Sequence, residues 1–404
     1  MAKRKKKAET SSTKKTTSAG KLKVGILTSV VQGAFFNNGL HQNAYNLLKL
    51  LKKSEIVEPF LLYPCEMFKE LANKGDGIHE IWGEKTYPLL KKGKEMDVLL
   101  QVSYGLWLEK EYKPLVDAGV KLVKIHYGNS FVAKQEEFVF SPALEKRPGG
   151  TMLTRIDNES VVTHASWLSP HFDWQDQYTA WSDNTIDNNV SVCPYIWSSD
   201  ILKANSGNGY EDSFHRRGDP RNKKIIVLEP NINIVKTSLI PLAVCELVYR
   251  ENPDLYDSAY LFNTDKYFGS NLAGYLSSYD CVSSGKVSFE RRFKFPEIMK
   301  HGKLMLHHHL LNGLNYTLLE ASNFKLPVVH NSKFMKDLGY FYEGVNVFDA
   351  VDALKAALSH DELTDAELLD YHKRCEENLW QWSIDNPKNL KGYEDLIQEV
   401  VSKK

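Results

Sequence analysis

The sequence predicts an α/β protein made of two halves, each a parallel sheet wrapped by helices, facing each other across a cleft. Three observations carry this. The chain has 404 residues, more than one hydrophobic core usually organises. Short apolar runs alternate with helical stretches along most of it, the pattern of parallel strands joined by crossover helices. That alternation is interrupted once, by a polar stretch at 198–223, and then resumes.

The elements follow in order. Residues 1–20 are low in complexity and lack bulky apolar side chains, so they predict a disordered tail. The basic run at 3–7 suits nucleic acid, an address signal or anionic lipid, or is simply solvated. Residues 22–30 read as a buried parallel strand. A polar loop with glycines covers 32–39, and leucines at 47, 48, 50 and 51 mark a helix over 41–51. Strands are expected at 58–63, 97–102 and 120–126, with helices between them, and shorter strands near 161–164 and 190–195. Residues 198–223 read as a linker between domains or a loop beside it. A new buried strand, KIIVLE at 224–229, opens the second series. It continues with a helix at 235–249, strands at 259–263 and 287–289, a helix at 295–301, a strand at 303–307, a helix at 316–323 and a strand at 327–330. Residues 366–401 read as helical, broken by Pro387, and long enough to cross back and tie the two halves together. The expected boundaries are a tail at 1–20, a first domain at 21–198, a linker at 199–223, a second domain at 224–375 and a C-terminal helical segment at 376–404.

Composition narrows the function. Hydrophobic residues make up 42% and charged residues 25%, ordinary for a globular protein. The net charge is zero, but the tail takes seven Lys/Arg and one acidic residue, leaving 44 basic against 50 acidic residues in the folded part. A mildly acidic body argues against a large nucleic-acid surface. The cysteines, Cys65, Cys193, Cys245, Cys281 and Cys375, form no CxxC pair and suggest reduced thiols. No apolar run approaches the ~20 residues that span a bilayer, and the N-terminus lacks the apolar core of a signal peptide. A cytoplasmic location is expected.

Ligands of parallel α/β sheets bind beyond the carboxyl ends of the strands, so the residues just after each strand carry the functional reading. After the first strand, Gly33 and Gly39 allow close backbone approach, and Asn37, Asn38, Gln42 and Asn43 offer neutral amides to a hydroxyl-rich ligand. The spacing is not GxGxxG. His126 ends a strand and is placed to bind a substrate hydroxyl or exchange a proton with it, or to pack the next loop. In EPNINIVKTS a helix is expected from about Asn233, with Lys236 on its first turn, where it meets a diphosphate or is solvated. Arg291 and Arg292 follow another strand and offer a second phosphate clamp, or surface salt bridges. The fifth place is LMLHHHLLNGLNYTLLEASNFKLPVVHNS at 304–332. Its three histidines are consecutive, and alternate residues of a strand point to opposite faces, so they do not converge on one ion. No metal site is expected.

This last segment resembles the donor-site signature of the GT-B glycosyltransferases, especially the large retaining class. There a Glu, seven residues and a second Glu lead into a small helix and a Pro-Val-Val strand. LLEASNFKLPVV matches the second half, and Glu320 falls where the second Glu binds the nucleotide ribose. The first Glu would lie at Asn312, which departs from the pattern at the contact to the donor sugar. The resemblance also implies that Lys236 and Arg291 or Arg292 clamp the diphosphate. It makes His126 the first-domain residue near the donor sugar, and Gly33 and Gly39 the glycine-rich first loop. His308, Asn315 and Tyr316 become further donor contacts. The runs EPNINIVKTSLIPL and VCPYIW, with the segment from 315 to 342, are similar to an uncharacterised bacterial family of GT-B-like proteins.

The resemblance implies two Rossmann-like domains and transfer of a sugar from a nucleotide-sugar to a glycan or other hydroxyl acceptor. It implies no metal and no cofactor beyond the donor, and retention of configuration. Charge on the departing nucleoside diphosphate would be met by Lys236, an arginine and helix N-termini, and domain closure would exclude water. Three other readings stand beside it: a nucleotide-sugar epimerase of the same fold, a non-catalytic nucleotide-sugar-binding protein, and a nucleic-acid glucosyltransferase using the basic tail.

Overall fold

The computed structural model describes residues 20–29, 39–64, 79–106, 108–144, 161–267 and 270–403. The basic tail up to residue 19, Gly33 with its loop neighbours Asn37 and Asn38, and Cys65 lie outside them.

The first half runs β1 (Leu22–Leu27), α1 (Gly39–Leu51), β2 (Val57–Tyr63), β3 (His79–Ile81), β4 (Glu84–Pro88), β5 (Val98–Gln101), α2 (Glu109–Val116), β6 (Lys121–His126), α3 (Ser130–Leu144), β7 (Ala165–Leu168), α4 (Asp176–Ser182) and β8 (Val190–Val192). The sheet order is β3-β4-β2-β1-β5-β6-β7-β8, parallel except for the β3–β4 hairpin at its edge. Both faces are covered, which is why β1 reads as a continuous apolar run. Val24 and Ile26 pack with Leu47, Leu50 and Leu51 of α1, while Leu27 packs on the other face with Leu62 and Leu99. Gly25 lets those neighbours close in: a Cβ there would lie 2.7 Å from Leu62 and 2.9 Å from Leu99.

The second half runs β9 (Lys224–Val227), α5 (Leu239–Glu251), β10 (Ser258–Leu261), β11 (Val287–Phe289), α6 (Phe295–Ile298), β12 (Leu304–Leu306), α7 (Tyr316–Asn323), β13 (Val328–His330), β14 (Tyr340–Phe341) and α8 (Val347–Leu358). Its six strands are all parallel, in the order β11-β10-β9-β12-β13-β14. Chain direction across the sheet reverses at β9, whose neighbours are β10 and β12. Such a reversal opens a crevice beyond the carboxyl ends of the two central strands.

Two helices end the chain, α9 (Asp365–Gln381) and α10 (Pro387–Ser402). Thr364 and Glu367 cap α9 reciprocally, and its Tyr371 and Cys375 pack with Leu319 of α7. Pro387 does not kink a helix; it starts one, at a first-turn position where no N–H is needed. From there α10 crosses to the first sheet. Tyr393, Ile397 and Val400 join the core around β1, and the Tyr393 hydroxyl meets Tyr127 Oη and the Pro194 carbonyl, each at 2.9 Å. The expected crossing helix is present.

Four local expectations change. The strand expected near 161–164 lies at Ala165–Leu168, with Thr163 making only an isolated bridge. The helix expected from Asn233 begins at Leu239. The β3–β4 hairpin fills a region read as helical; its turn places Trp82 and Gly83 at φ +59° and +73°. Residues 198–223 are not a bare tether. Leu202 sits in the core of the second half, His215 donates its N–H to Phe324 O at 2.8 Å, and the buried Lys303 ammonium meets Asp219 at 2.9 Å.

Burial of several imidazoles makes stability acid-sensitive. His330 and His360 are both held down to about 4 by burial. Unfolded, they would titrate near 6.5. The unfolded chain therefore binds more protons between about pH 6.5 and 4, and stability falls as pH drops through that window. The melting temperature is expected to decline as pH falls from about 6 to 4.5; a flat profile there would contradict the neutral burial.

Candidate functional site

The crevice at β9 and β12 gathers the polar residues. After β9, Glu229 is buried, and one oxygen accepts the His308 N–H at 3.0 Å and meets His307 Nδ1 at 2.7 Å. Its other oxygen is buried without a partner. The loop onward to α5 is pinned by Asn231, a non-glycine residue at φ +52°. Its amide donates to Glu229 O at 2.7 Å and Ser238 Oγ at 3.0 Å, and its carbonyl accepts from Ser238 N at 2.8 Å. These bonds hold the strip from 232 to 237 at the crevice, so Lys236 sits on this loop and not on a first helical turn. That is a correction, because Asn231 closes the loop where Asn233 resembles a helix cap.

Among the described residues, the Lys236 ammonium makes no hydrogen bond or ion pair. Burial lowers its pKa from the usual lysine value, with Glu229 partly opposing. A desolvated cation whose cost Glu229 offsets only in part is unfavourable to hold. Beside it stands His309, pulled down to about 2 by burial, by its neighbours His307 and His308, and by Lys236. Its Nδ1 accepts the Asn312 N–H at 3.2 Å. The proton of this neutral ring is therefore on Nε2, a buried donor with no acceptor. Asn331 fixes the ring's backbone, its Oδ1 accepting His309 N and its amide donating to His309 O at 2.8 Å.

The first half closes this crevice from the other side. His171 lies in a short turn after β7, Pro170–Gln175. It is 5% exposed, and its Nε2 lies 3.0 Å from Asn312 Oδ1, so Nε2 is the donor. Burial, then Lys236, holds this imidazole down to about 3. Nδ1 of His171, Ser169 Oγ and the Gln175 amide are buried and unpartnered. Asn129, just past β6, donates to Leu311 O at 2.9 Å, and Glu136 of α3 accepts Ile234 N–H at 2.6 Å. Leu311 itself is at φ +53°, a strained conformation of the kind that clusters at ligand clamps.

Glu320 lies on α7, one turn after Thr317. No side-chain partner is present for it among the described residues, and burial raises its carboxyl to about 8. Asn315 caps α7 by accepting Thr317 N–H at 3.3 Å, and Thr317 Oγ1 is buried without a partner.

Other expected site residues have different surroundings. Tyr316 is fully engaged in the junction between the halves. Its hydroxyl lies between Asn43 Oδ1 and Ile196 O and accepts from Asn46 Nδ2 at 3.1 Å, which leaves no atom for a donor. Tyr316→Phe strands these partners and is expected to cost about 1–3 kcal/mol of stability, read by denaturant unfolding. His308 is turned away from the crevice, its Nδ1 bonded to Tyr342 Oη at 2.8 Å. His126 is bound through Nε2 to buried Asp183 at 2.6 Å, which also holds Lys124 and Ser166. Burial works against the Asp183 charge, but His126 and Lys124 keep its pKa well below the usual range. Arg291 and Arg292 are exposed after β11, with Arg291 over the Phe293 ring at 4.9 Å. Gly39 opens α1, with nothing among the described residues within 4 Å of a Cβ. His307, His308 and His309 each take a different partner, as the strand geometry predicts. Among the described residues, no group of three or more His, Cys, Asp or Glu could hold a metal ion.

Sequence reasoning missed His171, Glu229, His309 and Asn129 as contributors. Each follows a strand, so the rule that picked out Lys236 covers them; for His171 it also required β7 to be placed correctly.

The family described as "Protein of unknown function (DUF2827)" matches residues 24–397. No curated protein matches the sequence. Among solved structures, the catalytic domain of starch synthase IV from Arabidopsis thaliana, bound to ADP and acarbose, covers 95% of this chain and 100% of its own, at TM-score 0.56 and 10% identity. The α,α-trehalose 6-phosphate synthase of Burkholderia multivorans covers 95% and 98%, at 0.54 and 10%. HepE of Anabaena, in complex with UDP and glucose, covers 93% and 99%, at 0.50 and 11%. At these identities the likeness speaks to the fold, and that fold is GT-B. No helix among the described residues is long and apolar enough to cross a membrane.

Proposed function

The chain belongs to the DUF2827 family, and we propose that it is a glycosyltransferase moving a sugar from a nucleotide-sugar donor to a hydroxyl acceptor. The observation that carries this reading is Lys236, a desolvated cation that makes no hydrogen bond or ion pair among the described residues, at the reversal of the second sheet. An anion binding there supplies the charge the site lacks. In this reading His309 Nε2–H and the N-terminal end of α7 add donors to the diphosphate, and Glu320 accepts the hydroxyls of the ribose. GT-B structures that carry ADP, or UDP and glucose, support a nucleoside diphosphate as that anion.

In this reading the bond between the sugar carbon and the diphosphate breaks as the acceptor oxygen bonds to that carbon. The acceptor's proton ends on the departing diphosphate. Lys236 and His309 face the charge that grows on the leaving group, so their effect is larger in the transition state than with bound substrate. His171 and Asn312, joined across the cleft, are assigned to the sugar. His126 acts through Asp183 to fix the end of β6 and the loop carrying Asn129. The protein's own cation meets the leaving charge, so the proposed reaction needs no metal. Retention of configuration is proposed from the match around Glu320.

Asn312 favours a second reading. It brings no carboxylate to the sugar, which suits a protein that binds a nucleotide-sugar without turning it over. A thermal-shift screen against UDP-, GDP-, ADP-, dTDP- and CMP-sugars, followed by product analysis with and without acceptors, separates the two. Stabilisation by a nucleotide-sugar without any transfer, hydrolysis or epimerisation would leave only the binding role. No stabilisation by any of them would sink both.

A further inference from the structure

The turn that carries His171 inward also carries a large ring outward. Trp174 is 46% exposed, and α4 continues with Tyr178 and then Trp181, 71% exposed. The spacing of three puts Tyr178 and Trp181 on one face of α4, and Trp174 comes from the turn just before it. Phe131, at the start of α3, stands edge-on to Trp174 at 5.7 Å and to Tyr178 at 4.8 Å, and Tyr178 meets Trp181 at 5.8 Å. The four rings make one unbroken row. It starts beside the cleft, since Phe131 follows Asn129 by two residues and Trp174 follows His171 by three. Large indoles left in water in a continuous row mark a contact surface.

We propose that this row is the acceptor subsite and that it takes a chain of pyranose sugars. The term acceptor rests on the glycosyltransferase reading. The chemistry of the row points to sugars. A pyranose offers a C–H face to stack on a ring and a rim of hydroxyls to bond carboxylates and amides. Here the rings alternate with exposed Asp173, Asp176 and Gln177. No Lys or Arg lies between 170 and 182, so anionic lipid or nucleic acid meets acids instead of cations. Among the described residues, Lys134 is the cation seen at the row, 5.5 Å from the Tyr178 ring. Beneath the rings, the Gln175 amide and Thr179 Oγ1 are buried without partners.

The test uses the full chain with Trp174→Ala, Trp181→Ala and the pair. Binding is read on an array of neutral and acidic oligosaccharides of four or more units, and then by tryptophan fluorescence with the best of them. A nucleoside diphosphate titration and sedimentation with phosphatidylcholine and phosphatidylglycerol vesicles run alongside. Each single variant should weaken oligosaccharide binding at least tenfold while nucleotide affinity stays within twofold. Nucleotide binding with no oligosaccharide bound, or with variants that bind it normally, overturns the subsite and leaves the transferase reading standing. Vesicle binding lost in the same variants overturns it too, giving the row to a membrane. Oligosaccharide binding that depends on the rings, in a protein that binds no nucleotide, supports the subsite and sinks the transferase reading.

Discussion

Lys236→Ala is expected to lower affinity for a nucleoside diphosphate by about one to two orders of magnitude while leaving the empty protein as stable as before or more so. The two signs share one cause. In the empty site the ammonium is desolvated and unpaired among the described residues, so deleting it removes an unfavourable burial. With a diphosphate bound, the same ammonium makes charge-assisted hydrogen bonds, each worth about 1.5–3 kcal/mol. Calorimetry at low and moderate salt checks the first sign and thermal unfolding the second. A structural lysine would show the reverse, a loss of stability with binding unchanged, and that result would remove Lys236 from the site. If transfer is observed, kcat should fall more than KM rises, because the leaving group gains its charge after binding.

The fold was legible where burial is two-sided. The runs at 224–229 and 327–330 have no polar face to disguise them, and the helix expected at 316–323 is α7. The failures are equally physical. In β7, Ser166 is buried and satisfied by Asp183 and Thr185, so tertiary bonds conceal a core strand that a periodicity reading passes over. The β3–β4 turn puts Trp82 where Asn or Gly is usual, which removes the local hairpin signal. Residues 198–223 look like a tether because their few large side chains, Leu202 and Phe214 among them, are spread thinly around polar turns.

The site was legible by position more than by partner. Strand ends pointed to Lys236 and to the loop at Asn312, since a parallel sheet exposes its carboxyl edge wherever strand order reverses. Which ring nitrogen points into the crevice is decided by the folded chain alone. Three consecutive histidines differ in the fold because Glu229, Tyr342 and Asn312 take one each. The His171–Asn312 bond joins residues 141 positions apart. Nothing local announces it, although Asn312 is the residue at which the expected resemblance departs from its pattern.

Glu320→Gln provides the sharpest test, because its effects on stability and on binding have opposite signs and separate pH dependences. Burial raises the Glu320 carboxyl to about 8, against about 4.3 for an unperturbed glutamate. Between these values the folded chain holds a proton that the unfolded chain has lost. Stability therefore falls as pH rises through that window, and the penalty is complete above pH 8. The glutamine variant carries no such charge. It should match the wild type near pH 5 and melt at a higher temperature at pH 9. Binding runs the other way. A ribose donates two hydroxyls, and only the ionised carboxylate accepts both, so wild-type affinity for a nucleoside diphosphate should rise between pH 6 and 8. The increase should be less than tenfold per pH unit. Ionisation of the phosphate acts equally on both proteins and cancels in the comparison. At pH 9 the variant should bind about 10- to 100-fold more weakly. A 2′-deoxynucleotide should lose affinity for the wild type and little for the variant. Equal loss in both proteins would separate Glu320 from the ribose, even if its stability profile behaves as described.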